Sequence, residues 1–377
     1  MKNMTLKIPP ALIDATRLVR GGRLAEATAA IQRALRGEAR PDAGDRSDAQ
    51  AIDGVCRVVA EDAVPRRPDN ADAAAAQSAH QHAGKFVSGT YSDHAGTRSY
   101  KVCVPSVYHG QALALVVMLH GCTQSPDDFA AGTRMNELAE ELGVVVVYPA
   151  QAIDANASKC WNWFQAEDQQ RDQGEPSLIA GITRQVLASY KLDAQRVYVA
   201  GLSAGGAMAA VMSTTYPDLY AAIGIHSGLA YAAASDVTSA FAAMSGKGML
   251  RRQGRARGRD PVPRMVPTIV FHGDNDTTVH PSNGEHVIAQ ATTPHSDDAQ
   301  GNTPADKPLS VERGVAGGRE YTRTVHPDAD GKPVIEHWVV HGAGHAWSGG
   351  SAKGSYADPS GPDASREMLR FFFQHAR

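Results

Sequence analysis

The chain has 377 residues, 42% of them hydrophobic, which is enough for one large domain or two modest ones. Its formal net charge of −3 argues against bulk electrostatic binding to nucleic acid or to an anionic membrane surface. No apolar run approaches the ~20 residues that a membrane-spanning helix needs, and four cysteines without a C-x-x-C pair indicate neither a disulfide scaffold nor a zinc site.

The N-terminal part of the chain divides into two segments. Residues 1–36 are predicted to form a helical segment, because apolar residues recur at helical spacing on both sides of Gly21 and Gly22. Residues 37–83 are rich in Ala, Asp, Arg and Pro without periodicity, so they are predicted to be a flexible linker. No apolar stretch followed by a small-residue cleavage site is visible at the N-terminus, so we expect no secretory signal.

From residue 84 to residue 377, short apolar runs alternate with amphipathic segments. The apolar runs predict strands at 112–119, 144–149, 196–200, 221–228, 267–273 and 334–340. The amphipathic segments predict helices at 127–142, 177–192, 205–216 and 365–374. Such an alternation is typical of the α/β class, with a mostly parallel central sheet covered by helices on both faces.

Functional side chains gather where parallel strands end, so the residues after each strand are the ones to examine. The segment GLSAG at 201–205 follows a predicted strand and precedes a predicted helix, which is the context of a G-x-S-x-G nucleophile elbow. Gly201 and Gly205 would let the chain close tightly around Ser203. The pattern therefore predicts that Ser203 is a nucleophile, while the alternative is a small residue in a crowded turn.

A serine nucleophile needs a base and a carboxylate that orients the base. In proteins with this type of elbow, the acid follows the serine in the chain and the histidine follows the acid. We predict Asp276 as the acid, with Asp274 as the alternative, and His345 as the base. His345 lies in the glycine-rich loop GAGHAWSGG near the end of the chain. The competing histidines stand at strand ends, within a strand or after the acid, namely His272, His280, His337 and His341.

Two further groups are predicted around this serine. A tetrahedral intermediate needs two backbone N–H donors, and we predict those of Ala204 and of Cys122 in the LHGC turn as the oxyanion hole. Trp161, Trp163 and Trp347 are predicted to bind substrate, because aromatic rings suit apolar acyl groups. The alternative is that these rings fill the core under their loops.

Five segments together carry a resemblance to a known family: LHGCTQ, CWNWF, GLSAGGAMA, FHGDNDTTV and GAGHAWSGG. In this order they resemble the poly(3-hydroxybutyrate) depolymerase family of esterases, which are α/β-hydrolases with feruloyl and acetylxylan esterase relatives. The likeness runs from about Tyr91 to Arg377. It implies an α/β-hydrolase catalytic domain at 84–377, a triad of Ser203, Asp276 and His345, and no metal or organic cofactor.

The resemblance also implies a substrate class, a disulfide and a location. The substrate would be an ester of a short-chain hydroxyalkanoate or of an acyl-decorated plant polysaccharide, cleaved through an acyl-enzyme. Cys122 would pair with Cys160, although reduced buried thiols are the alternative. The family suggests an extracellular location, and the missing signal argues for the cytoplasm. Because no separate polymer-adsorbing domain is visible, soluble oligomers or small esters are expected substrates rather than crystalline polyester.

Two other classes of function stay open at this point. A serine peptidase or an acyltransferase would use the same scaffold and the same three side chains. A non-catalytic binding module would instead rely on the helical segment at 1–36, with the serine turn as a structural feature.

Overall fold

A computed structural model of the protein describes residues 84–247, 265–292, 308–328 and 330–377. The predicted helical segment 1–36 and the predicted linker 37–83 lie outside these residues. Among the described helices, none combines the length and the apolar character needed to cross a membrane.

The described part of the chain is built around one large sheet. Its strands are β1 (Lys85–Asp93), β2 (Gly96–Val104), β3 (Leu115–Leu119), β4 (Val145–Pro149), β5 (Val197–Leu202), β6 (Ala222–His226), β7 (Thr268–Gly273), β8 (Ser310–Ala316), β9 (Arg319–Pro327) and β10 (Pro333–Val340). Two short strands, β11 (Trp347–Ser348) and β12 (Ala357–Asp358), pair separately.

The strand order in the sheet is β1-β2-β4-β3-β5-β6-β7-β10-β9-β8. The six central strands from β4 to β10 run parallel, and an antiparallel hairpin closes the sheet at each edge. The predicted mostly parallel sheet is therefore confirmed. The hairpins β1–β2 and β8–β9 were not predicted as pairs, because their half-exposed strands lack the continuous apolar run of the central ones.

Helices cover both faces of the sheet. They are α1 (Pro126–Thr133), α2 (Met135–Leu142), α3 (Gly174–Tyr190), α4 (Ala204–Thr215), α5 (Val237–Met244), α6 (Ser282–Thr292) and α7 (Ala364–Phe372). Alternate residues of each strand point to opposite faces, so Val117 packs in the cluster under α3, α4 and α6. Its neighbour Met118 packs in the other cluster, under α1, α2 and α7. This layered arrangement is the α/β-hydrolase fold that the resemblance implied.

The prediction of a single helix at 127–142 is wrong, because the chain forms two helices there. Arg134 takes a left-handed conformation with φ of +56°, which ends α1 and begins α2. Phe129, Met135 and Leu138 are buried, whereas Leu142 at the end of α2 is exposed.

Candidate active site

Ser203 lies at a sharp turn between β5 and α4, with φ of +56° and ψ of −118°. This conformation is rare for a residue with a side chain and costs about 1–3 kcal/mol. The flanking glycines make the turn possible, because a Cβ on Gly201 would lie 2.3 Å from the backbone of Gly205. A Cβ on Gly205 would lie 2.0 Å from the carbonyl oxygen of Leu119. The turn therefore requires glycine at both positions.

Asp276 follows β7, and His345 Nδ1 lies 2.7 Å from its Oδ2. The N–H groups of Thr278 and Val279 donate to Oδ1 at 2.8 and 2.9 Å. Burial raises the pKa of this carboxyl, but hydrogen bonds from His272, His345 and the Val279 N–H outweigh burial and hold the pKa well below its usual range. Asp276 is thus a fixed anion beside the imidazole.

Asp274, the alternative acid, is engaged elsewhere. Its Oδ2 lies 2.8 Å from His341 Nδ1, and its Oδ1 accepts a hydrogen bond from the Gly342 N–H. The second ring nitrogen of His341 lies 2.9 Å from Thr322 Oγ1, so both nitrogens are occupied. This second pair is also more exposed than the pair of Asp276 and His345. No hydrogen bond within the described ranges occupies Nε2 of His345.

Strand β6 connects the serine turn to the histidine loop. The Ser203 N–H donates to the carbonyl oxygen of His226 at 2.9 Å, and the Ser348 N–H donates to Nε2 of the same residue at 3.0 Å. Burial, together with His272 and His345, lowers the pKa of His226 to about 3, so its ring is neutral and accepts this hydrogen bond. The nucleophile candidate and the segment just after His345 are therefore held by one residue.

The turn after β3 lies against the candidate nucleophile. A Cβ on Gly121 would lie 3.6 Å from Ser203 Cβ, and the Gly121 N–H donates to Gln124 Oε1. In the described part of the chain, no hydrogen bond occupies the N–H of Cys122 or the N–H of Ala204. Two free donors beside the serine are what a developing oxyanion needs.

His120 holds the turn after β3 through hydrogen bonds, a role that the sequence did not suggest. Its Nδ1 lies 2.8 Å from the Gly121 carbonyl oxygen, and its Nε2 accepts a hydrogen bond from the Gln151 N–H at 3.0 Å. Burial lowers the pKa of His120 to about 4, so the ring is neutral and donates through Nδ1. The ring therefore couples the turn after β3 to the loop after β4.

Glu175, at the start of α3, fixes the other end of that loop. It accepts hydrogen bonds from the Gln151 amide, from the Asn162 N–H at 2.7 Å and from Asn162 Nδ2 at 2.8 Å. Burial and the neighbouring Asp168 raise the pKa of Glu175 to about 7, although the amide donors act in the opposite direction. Glu175 lies just before the helix predicted at 177–192, and no sequence pattern indicated this role.

A disulfide joins Cys122 to Cys160, as the resemblance implied. It links the turn that carries one free N–H donor to the loop after β4. The Thr123 N–H also donates to the Ser158 carbonyl oxygen at 2.7 Å, so the two segments are joined twice. Cys103 is a buried free thiol in β2.

The three tryptophans predicted to bind substrate are buried, which fits the alternative that they fill the core. Trp161, Trp163 and Trp347 are 0%, 5% and 1% exposed, so their rings pack in the core rather than facing solvent. Trp347 stacks on His226 at 5.0 Å, and its Nε1 donates to Ser365 Oγ. Their loops fold back onto the sheet, and burial of a large ring stabilises the fold more than exposure does.

Comparison with known proteins assigns the chain to a family. The family model described as esterase PHB depolymerase matches residues 98–301, just over half of the chain. The chain belongs to this family. The matched range includes Ser203 and Asp276 and ends before His345.

Named relatives of this PHB depolymerase family member include both polyester and plant-ester enzymes. It is 36% identical over 239 residues to poly(3-hydroxyalkanoate) depolymerase C of Paucimonas lemoignei, covering 61% of this chain and 54% of that protein. It is 36% identical over 128 residues to feruloyl esterase B of Neurospora crassa, covering 34% and 43%. The chain spans about half the length of the curated relatives it matches.

A solved structure supports the fold of this family member. The acetyl xylan esterase from Aspergillus awamori superposes with a TM-score of 0.58 at 18% identity, covering 76% of this chain and 99% of that one. At that identity the likeness concerns the fold alone.

Proposed function

We propose that the chain is a serine esterase that hydrolyses carboxylic esters through an acyl-enzyme formed on Ser203. The observation that carries the proposal is the 2.7 Å contact between His345 Nδ1 and Asp276 Oδ2, in a loop hydrogen-bonded to the same strand residue as the elbow serine. Relatives named as depolymerases and esterases support it. Residues 84–377 are assigned to the catalytic domain.

The acylation step follows from the free groups of the site. Ser203 Oγ attacks the ester carbonyl carbon as its proton moves to His345 Nε2, and the carbonyl electron pair moves onto oxygen. The N–H groups of Cys122 and Ala204 stabilise that oxyanion. When the intermediate collapses, the bond to the alcohol oxygen breaks and His345 gives this oxygen the proton.

Deacylation repeats the sequence with water. His345 Nε2 takes a proton from a water molecule as its oxygen attacks the acyl carbon, and the proton then returns to Ser203 Oγ as the acid product leaves. Asp276 stays ionised throughout because its pKa is held low. It fixes the imidazole orientation and stabilises the imidazolium that forms twice in each cycle.

We propose short-chain 3-hydroxyalkanoate esters as substrates, in line with the name of the relative from Paucimonas. Feruloyl or acetylxylan esters are the second candidate, because relatives named for those activities match the chain as well. A soluble oligomer or a small ester fits the site better than a crystalline surface, since the candidate nucleophile is only 9% exposed.

A substrate panel tests both parts of the proposal. The specificity constants for 3-hydroxybutyrate oligomers, methyl ferulate and acetylated xylan are compared for the wild type and for Ser203→Ala. We expect the oligomers to give the highest kcat/KM and the variant to lose activity by a factor of the order of 10³–10⁶. A preference for methyl ferulate or xylan would replace the polyester assignment, and an active Ser203→Ala would overturn the esterase mechanism.

A further inference from the structure

Tyr356 stands out among the aromatic residues near the candidate triad. It lies between β11 and β12 and has φ of +51°, in the left-handed region that residues with side chains seldom adopt. The residue is 45% exposed, and its ring meets the ring of His345 edge-on, with centroids 6.3 Å apart and an interplanar angle of 77°. A strained backbone thus presents a large ring to solvent beside the candidate base.

The surrounding contacts hold Tyr356 in this conformation. The Ser355 N–H and hydroxyl both donate to Asp128, and Gln124 Nε2 donates to the Ser355 carbonyl oxygen at 2.8 Å. On the other side, the Trp347 N–H donates to the Tyr356 carbonyl oxygen at 2.7 Å. Backbone strain that several surrounding contacts maintain in this way is typical of functional positions.

The same contacts tie Tyr356 to both halves of the proposed catalytic apparatus. Gln124 accepts the Gly121 N–H in the turn that carries the Cys122 donor, so Tyr356 is positioned relative to that turn. Trp347 is two residues past His345, so Tyr356 is also positioned relative to the base. The backbone of Tyr356 is therefore fixed relative to both segments, and its ring lies beside the imidazole of His345.

The position relative to His345 indicates which part of an ester the ring meets. Because Nδ1 of His345 is engaged by Asp276, Nε2 is the nitrogen that protonates the departing alcohol oxygen. A group beside the imidazole consequently borders the alcohol part of the ester, and not the acyl part held by Ser203. An aromatic face there favours an alcohol with an apolar surface.

We propose that Tyr356 forms one wall of an alcohol subsite and selects esters whose alcohol portion is apolar. This inference rests on the proposed serine esterase function. The subsite acts while His345 gives its proton to the alkoxide oxygen and the bond from that oxygen to the acyl carbon breaks. Once the alcohol has left, the ring contacts no part of the acyl group that stays on Ser203.

Two substrate series separate the alcohol subsite from the acyl subsite. The first varies the alcohol of an acetate ester, from methyl to ethyl, benzyl and phenyl. The second varies the acyl chain of a p-nitrophenyl ester, from acetate to butyrate and hexanoate. For Tyr356→Ala we expect kcat/KM for benzyl and phenyl acetate to fall about tenfold relative to methyl acetate. We expect the relative values in the acyl series to stay within about twofold, and Tyr356→Phe to behave as the wild type.

An acceptor experiment tests the same subsite in reverse. Benzyl alcohol is added to the reaction with p-nitrophenyl acetate, and the ratio of benzyl acetate to acetate is measured. The ratio should fall for Tyr356→Ala and remain unchanged for Phe373→Ala, a matched control with a similarly exposed ring at the end of α7. Should Tyr356→Ala fail to fold, Tyr356→Gly removes the ring at a φ that glycine adopts freely.

The outcomes keep the two proposals apart. An equal loss across both series, or a shift within the acyl series alone, overturns the alcohol subsite. A wild-type protein that forms no fluorophosphonate adduct on Ser203 overturns the esterase mechanism itself. Normal labelling of Tyr356→Ala with altered alcohol preference supports the subsite.

Discussion

The proposed nucleophile Ser203 and the proposed acid Asp276 are held in place in two different ways. Ser203 is held at a φ of +56° by the close approach of its flanking glycines, so its hydroxyl stays at the tip of a rigid turn. Asp276 accepts hydrogen bonds on both carboxylate oxygens, which favours its charged form. We expect the backbone of Ser203 and the carboxylate of Asp276 to keep these positions when an ester binds, and such preorganisation would lower the barrier of the proposed reaction.

Asp276 and Asp274 are the two candidates for the carboxylate that orients His345, and substitution of each one distinguishes them. Asp276→Asn should lower kcat for p-nitrophenyl butyrate by a factor of about 10⁴, because the amide no longer fixes the reactive tautomer of His345. Asp274→Asn is the matched control, since it disrupts the more exposed pair with His341. We expect the control to retain activity within severalfold of the wild type.

Steady-state kinetics of the two variants decide the assignment. A large loss in Asp274→Asn with a small loss in Asp276→Asn would move the orienting role to the other pair. Circular dichroism of both variants checks that the fold is retained.

At the scale of elements, the site depends on the loops that follow the parallel strands. The disulfide between Cys122 and Cys160 joins the turn after β3 to the loop after β4, and two hydrogen bonds, Thr123 to Ser158 and Gln151 to His120, join them as well. The N–H of Cys122 is therefore held by covalent and hydrogen-bonded links together. Loss of the covalent link should affect both catalysis and stability.

Cys160→Ala tests this link. We expect kcat to fall about tenfold, because a mobile Cys122 N–H would lose part of the contribution of about 2.7–4 kcal/mol that an oxyanion donor typically makes. We expect the free energy of unfolding to fall by about 2–4 kcal/mol, the typical contribution of a disulfide. Urea unfolding and p-nitrophenyl butyrate kinetics measure the two effects.

A reducing agent supplies the control for that variant. Dithiothreitol should bring the wild type toward the variant in both measurements and leave Cys160→Ala unchanged. A wild type and a variant that show the same kcat would mean that the hydrogen bonds alone hold the turn after β3.

The sequence predicted the elements whose signal is local and missed those that depend on tertiary contacts. The central strands and the turn at Ser203 were predicted because apolar runs and the glycine spacing are themselves the physical requirement. The break at Arg134 was not, because the left-handed residue is an arginine and the nearby Gly132 lies inside α1. The burial of Trp347 and the exposure of Tyr356 follow from how their loop folds back, which no short pattern encodes.

On the scale of the whole molecule, buried neutral histidines link stability to pH. His120 and His226 have pKa values lowered to about 4 and about 3, chiefly by burial. Below pH 6.5 the unfolded chain binds protons at these residues and the folded chain does not, so their contribution to stability is lost as pH falls. Glu175 acts in the opposite direction between pH 4.5 and about 7, because its raised pKa favours the folded state at the lower pH.

A single variant isolates one of these contributions. His226→Gln keeps an acceptor for the Ser348 N–H but does not titrate. The free energy of unfolding of the wild type should fall more steeply than that of the variant between pH 6.5 and 4, by about 1.4 kcal/mol per pH unit. The exposed His109→Gln serves as control and should keep the wild-type slope.

Urea unfolding at several pH values gives these slopes. Parallel curves for the wild type and His226→Gln would show that the ring titrates equally in the folded and unfolded states, contrary to its burial.

Covalent labelling of the intact protein tests most directly that Ser203 is activated by His345. The protein is treated with a fluorophosphonate probe and analysed by mass spectrometry, alongside Ser203→Ala and His345→Ala. We predict one adduct per chain on Ser203, none on Ser203→Ala, and a rate lowered by at least about 10³ in His345→Ala. An unlabelled wild type, or equal labelling rates for the wild type and His345→Ala, would contradict the proposed mechanism.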